Sequence, residues 1–171
     1  MSQIIEWINE KIIINENDKI EIRDIDYIRD FTLLWNLYEA LYSNGDYSLR
    51  EALQDIKDKK DIFDEHVIEP IFVYYHERYQ DTTRLERLSF RHSGADQVAK
   101  VKLDNMLQSI SGHSKSDKLY FIMAIVYRYR NNLFHGQKQI VKIRYQEENF
   151  KYANQFLMHI IEKYQREYDG Y

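Results

Sequence analysis

Arg128, Arg130, Asn131, Asn132 and His135 fall within eight consecutive positions of the chain. Together they offer two guanidiniums, two amides and one imidazole. Histidine titrates near neutral pH, so it can take a proton from a 2′-hydroxyl or give one to a leaving oxygen. Arginine can hold phosphate oxygens bidentately and stabilise charge that builds on phosphorus. On a helix the offset from Arg130 to His135 separates them by about 140°, at 100° per residue. Asn131 precedes His135 by one helical turn and shares nearly the same face. One helix end can therefore present an imidazole, an amide and a guanidinium to a single groove, a set that suits RNA. A structural reading stays open beside it, in which His135 and Arg130 form a cap network that satisfies the last carbonyls of the helix.

The element that must position these groups is read directly. Nine residues in a row, Leu119 to Tyr127, are apolar or aromatic. A helix without a polar face is buried on more than one side. Ser116 is the expected N-cap, and Gly136 is a natural C′ position to end the helix. Charged and amide groups in the last turns of such a helix are costly unless they have partners or a task. From Arg128 to Arg144 there are five basic residues and no acidic one. The helix terminus explains Arg128 and Arg130, whereas Lys138, Lys142 and Arg144 continue past it. That charge suits a phosphate or polyanion, with Arg128, Asn132 and Lys138 as contacts; a solvated basic face fits the charge equally well.

An earlier helix adds a polar stripe. Thr32, Asn36 and Glu39 share one face at spacings of four and three. The stripe is either a plain exposed face or the lining of the cleft near His135, where Glu39 can pair with an arginine and Asn36 can meet RNA. One histidine supplies one of two proton transfers. A homodimer placing two helix ends across a two-fold axis supplies both, and the apolar central helix is the expected dimer surface.

The wider sequence sets the class. The chain has 171 residues, enough to bury a core as one domain spanning 1–171. Fifteen Tyr, eight Phe and two Trp stand against one Pro and five Gly, which favours helices over a many-turned β fold. No cysteine is present, so disulfides and thiolate metal sites are excluded. The net charge of −4 is unevenly spread: residues 1–69 hold seventeen acidic and eight basic residues, and residues 70–171 hold eleven and sixteen. The N-terminus does not read as a signal peptide, and no run reaches the length of a membrane span. A cytoplasmic protein is expected. Periodicity predicts a first helix through Ile4, Ile5, Ile8 and Ile12, and a second capped by Asp24 or Asp26, running to about Leu41. The second has Ile25, Ile28, Leu34, Tyr38 and Leu41 or Tyr42 inward. SNGD at 43–46 reads as a turn. Ser48 to Lys60 reads as a short, weakly amphipathic helix at most. Asp61 to Tyr79 is helical, with Pro70 starting a segment or kinking it. Thr83 and Glu86 have the form of a capping box. Ala95 to Ser109 is helical with Val98, Val101 and Leu107 inward. Gln137 to Gln146 reads as extended, and Glu148 to Tyr168 as a clear amphipathic helix. The expected fold is an all-α bundle.

Histidines 66, 76, 92, 113 and 159 have no zinc-ligand spacing, so no metal site is expected. His92 and His113 fall in loops and read as solvated. Arg84, Arg87, Arg91, Lys100 and Lys102 could track an RNA backbone, though a solvated face is the plainer reading. The tyrosines, Tyr74, Tyr75, Tyr127 and Tyr129 among them, could stack bases but more commonly build core or interface.

RNNLFH, Arg130 to His135, resembles the RNxxxH form of the R-x4–6-H motif of HEPN domains, the higher eukaryotes and prokaryotes nucleotide-binding family. Gly136 and the aromatic-aliphatic helix before the motif match too, and WNLYEAL at Trp35 to Leu41 resembles the polar-marked early helix of that fold. The similarity covers most of the chain, but only the six-residue motif is specific. The resemblance implies a HEPN-like helical bundle, dimerising through the central helices, with metal-independent endoribonuclease activity and no cofactor. Arg130 and His135 would be catalytic and Asn131 supporting, with Arg128 ranked second. It also implies a toxin, phage-defence or RNA-processing role, with an antitoxin or defence-system protein as partner. In toxins silenced by a partner nucleotidyltransferase a Tyr often stands two residues after the His; here it is Gln137, which disfavours that regulation. The alternative is a non-catalytic module of the same kind, binding nucleotide, RNA or protein. The modest overall basicity keeps it open.

Overall fold

The apolar run from Leu119 to Tyr127 lies inside α7 (Lys115–Phe134), and every residue from Phe121 to Tyr129 is buried. A helix apolar on all sides has to be enclosed, and the neighbours of α7 do this. The computed structural model describes residues 3–13, 15–42, 48–134 and 145–169. Over these the chain runs α1 (Gln3–Lys11), α2 (Ile22–Tyr42), α3 (Leu49–Asp58), α4 (Glu65–Tyr79), α5 (Thr82–Glu86), α6 (Gly94–Met106), α7 and α8 (Glu147–Asp169). Short 3-10 turns occupy Glu16–Asp18 and Lys60–Ile62, and the described residues contain no strand. None of the helices is long and apolar enough to cross a membrane. The expected turn at 43–46 lies outside the described residues, as do His135, Gly136, Lys138 and most of the expected extended stretch Gln137 to Gln146.

α3 and α4 pack on α7, and α8 packs on α2 and α4. Aromatic edges make many of the joints. Phe72 meets Phe121 at 5.4 Å, Trp35 meets Tyr127 at 5.8 Å and Phe31 meets Phe150 at 5.1 Å, all edge-on. Such pairs add about 0.5–1.5 kcal/mol to their area burial. Lys118, in the first turn of α7, bridges Glu65 at 2.8 Å and Glu69 on α4. Ile5, Ile13 and Ile20 form a second, smaller cluster under α1. Asn9 pins it, donating to the Ile20 carbonyl at 2.8 Å and accepting from the Ile20 N–H at 2.9 Å.

Several local expectations are corrected. α7 is capped by Ser114 rather than Ser116: the Asp117 N–H donates to Ser114 Oγ at 3.2 Å, and Asp117 reaches back to the Ser114 N–H at 3.3 Å. At the start of α2 Asp24 accepts from the Glu21 N–H at 2.7 Å and so acts from inside the helix. α5 is capped by Asp81, which accepts from Thr83 and Arg84, and not by Thr83. α3 is a full helix with a Ser48–Glu51 capping box, and it buries Leu49, Ala52, Leu53 and Ile56. α2 buries Phe31, Trp35 and Tyr38 while Leu41 is exposed. α6 is rotated from the expected orientation, with Val98 and Val101 outward and Ala99, Leu103 and Met106 inward. α8 is the amphipathic helix expected, burying Phe150, Ala153, Phe156, Leu157, Ile160 and Tyr164, with Ile161, also expected inward, part-buried.

His159 on α8 is buried, and its Nε2 accepts the Asp64 N–H at 3.1 Å. Burial lowers its pKa from the ordinary value of 6.5, against the opposing pull of the Asp64 carboxylate. A pKa lower in the folded than in the unfolded state means that protons bind the unfolded chain better. The stability linked to His159 is complete above pH 6.5 and is lost as pH falls from there through the folded value. Urea unfolding at pH 7.5 and pH 5.5 checks this. The parent should lose more stability between the two than His159→Gln, which keeps an acceptor; equal losses would contradict it.

Candidate functional site

Residues two apart on a helix point in nearly opposite directions, about 200° apart. The C-terminal half of α7 uses this to separate its two arginines. Arg128 faces the segment between α5 and α6 and is 5% exposed. Its Nε donates to the Leu88 carbonyl at 2.9 Å, Nη2 to the Ser89 carbonyl at 2.5 Å and Nη1 to Asp96 Oδ2 at 2.9 Å. The guanidinium carbon also stands 5.5 Å from the centre of the Phe90 ring. Burial lowers the Arg128 pKa, and the Asp96 carboxylate opposes that shift. Asn132, one turn on, donates from Nδ2 to the Arg87 and Leu88 carbonyls at 3.3 Å each. The structure thus gives Arg128 and Asn132 a different task from the expected phosphate contact. They clamp residues 87–89 onto α7.

Arg130 faces the other way, toward α2. Its Nη2 donates to Glu39 Oε1 at 3.2 Å and its Nη1 to Asn131 Oδ1 at 3.1 Å. The Arg130 and Glu39 side chains keep 29% and 24% of their surface exposed, so this pair is open to a solvated ligand. Asn131 is largely buried beside the Tyr127 hydroxyl, whose pKa burial raises. Glu39 pairs with an arginine as its stripe predicts. Asn36, one turn earlier, is exposed, while Thr32 spends its hydroxyl on the Ile28 carbonyl at 2.9 Å. Arg130, Asn131 and Glu39 therefore meet, with Asn36 along the same face. His135 and Lys138 lie outside the described residues.

Other candidates have structural work. Tyr79 and Tyr129 share a hydroxyl–hydroxyl bond of 2.6 Å inside the core, and Tyr75 donates to the Asn149 carbonyl at 2.7 Å. Tyr74 stacks on Tyr152 at 4.1 Å. His113 is half-exposed in its loop, and its Nε2 lies 2.6 Å from the Ser109 carbonyl, beside His76, whose Nε2 is 3.1 Å from the Met106 carbonyl. Arg84 pairs with Asp81, Lys100 with Asp104, and Lys102 with Asp117. Asp96 is the residue that sequence reasoning missed. Its place near the start of α6 is readable from Ser93 and Gly94, but its partner is 32 positions away.

Comparison with protein-family models, with curated proteins and with solved structures gave no match.

Removing one side of a buried ion pair leaves an uncompensated charge, which costs about 3–5 kcal/mol. Asp96→Asn should lower unfolding free energy by about 3 kcal/mol. A double-mutant cycle with Arg128→Met should give a coupling above about 1 kcal/mol. Additive effects in urea denaturation would show that the clamp is not a cooperative unit.

Proposed function

We propose that the chain is a metal-independent endoribonuclease of HEPN type, working as a homodimer on cytoplasmic RNA in a toxin, phage-defence or RNA-processing role. The observation that carries this reading is the placement of Arg130. Of the two arginines that end α7, it is the one in the RNNLFH motif that stays part-exposed, oriented by Glu39 and Asn131. A bound phosphate competes with Glu39 for the guanidinium, and a half-exposed ion pair of this kind holds only about 0–1 kcal/mol. In the reaction His135 takes the proton of a 2′-hydroxyl. The 2′-oxygen attacks phosphorus, the bond to the 5′-oxygen breaks, and the second protomer's histidine protonates that leaving oxygen. Arg130 stabilises the charge on the non-bridging oxygens. The products are a 2′,3′-cyclic phosphate and a 5′-hydroxyl.

The dimer surface moves from its expected place. The apolar length of α7 is consumed within one protomer, so it has no free face to offer. α2 does have one. Leu33, Leu37 and Leu41 recur every four residues with exposures of 69%, 42% and 46%, beside the stripe that holds Glu39. A two-fold contact there sets two Arg130 groups near a common groove. The ion pair that occupies Arg130 also favours a second reading, a non-catalytic module that binds nucleotide, RNA or protein through the same face.

Purified protein in EDTA should cut single-stranded RNA. His135→Ala and Arg130→Ala should each lose at least 100-fold in rate while keeping parental helicity. Leu37→Glu should yield monomers by light scattering and lose cutting with them. Cutting that survives His135→Ala would refute the site, and a well-folded parent inert toward many RNAs would favour the binding module.

A further inference from the structure

We propose that the cleft between α5 and α6 is a second binding site, for a nucleoside monophosphate unit. The cleft is open-sided and has a volume of about 690 Å³, inside the range of about 300–1,000 Å³ that small-molecule sites occupy. It lies on the Arg128 side of α7, away from Arg130 and Glu39. Leu85, Phe90 and Val101 give it apolar walls, and Arg91 and Lys100 stand among its lining groups. The Arg91 side chain is exposed and has no ion-pair partner among the described residues, so its guanidinium is available to an anion. Lys100 meets Asp104 at 2.5 Å, which leaves other ammonium protons for a phosphate oxygen.

Glu86 and Gln97 add an acceptor and an amide to the same lining. A long-chain carboxylate would leave these two groups without work. A nucleotide uses them, with the base edge or ribose hydroxyls on Glu86 and Gln97, the base faces on the apolar walls and the phosphate on Arg91. Val101, exposed although apolar, then has a reason to face outward on α6.

The wall of the cleft is also pre-set. Ser89 has φ of +55°, a left-handed conformation uncommon outside glycine, asparagine and aspartate. Its carbonyl and that of Leu88 are fixed by Arg128, and the Arg91 N–H is held by Asp96 Oδ2 at 2.9 Å. Strained backbone persists where the surroundings over-determine it. Here a buried ion pair does so, which keeps the cleft open before a ligand arrives and lowers the ordering cost of binding.

The test is calorimetric titration of the full chain with AMP, adenosine, inorganic phosphate and a four-nucleotide strand with 2′-O-methyl sugars. AMP should bind at least 10-fold tighter than adenosine or phosphate. Arg91→Ala and Val101→Asp, both at exposed positions, should keep the parental thermal midpoint and weaken AMP at least 10-fold. Arg130→Ala should bind AMP as the parent does, so the result does not depend on the ribonuclease reading. In Arg130→Ala, a strand preferred 10-fold over AMP and weakened by adding Arg91→Ala would identify the unit as part of a nucleic acid, and the reverse a free nucleotide. Absence of binding by both at millimolar concentration would overturn the site. So would parental affinity in Arg91→Ala and Val101→Asp, or loss of binding in Arg130→Ala.

Discussion

A guanidinium withdrawn from water must be met by acceptors on several sides, and the end of α7 is arranged around meeting that demand for Arg128. Leu88, Ser89 and Asp96 supply three acceptors and Phe90 a ring face. Leu88, Ser89 and Phe90 belong to the segment between α5 and α6 and Asp96 to the first turn of α6, so the guanidinium ties both to α7 beside the buried Leu88 and Phe90 side chains. The clamp thus fixes the course of the chain from α5 into α6 and the start of α6 at once. It also explains why a helix so apolar in its middle can end in polar residues without cost to the core.

The same requirement divides the labour between two neighbouring arginines. Helical geometry turns Arg130 away from Arg128, toward α2, where Glu39 meets it at the protein surface. One guanidinium is buried and committed, and the other is oriented yet accessible. A catalytic or binding role for the RNNLFH motif needs the second condition and depends on the first, because α7 can present its end only if that end is held in place. Asn131 and Asn132 repeat the division. Asn131 accepts from Arg130, whereas Asn132 donates to the clamped carbonyls.

How much of this was legible in the sequence varied with how local the cause was. The enclosure of α7 and the inward face of α8 follow from runs of apolar residues, and the structure agrees with both. That Glu39 can pair with an arginine is readable from a polar stripe on an apolar helix, though the stripe alone does not name Arg130. α3 is hard to read because its many charged residues obscure Leu49, Ala52, Leu53 and Ile56 at their helical spacing. α6 was turned the wrong way because Val98 and Val101 outweigh Ala99 on any hydrophobicity scale. The inward side joins Ala99, Leu103 and Met106 to Asp96, whose buried pairing with Arg128 no local pattern announces. For the same reason Arg128 and Asn132 were assigned to phosphate. Their fate depends on carbonyls more than thirty-five positions earlier.

Under the proposed function Arg130, and not Arg128, meets RNA together with His135. The direct measurement is NMR of the arginine Nε–Hε and histidine ring signals in the labelled protein, titrated with an uncleavable 2′-O-methyl RNA. The account predicts that the Arg130 and His135 signals shift together and saturate at the same RNA concentration, while Arg128 stays still. A shift in Arg128 with Arg130 and His135 unmoved would contradict it.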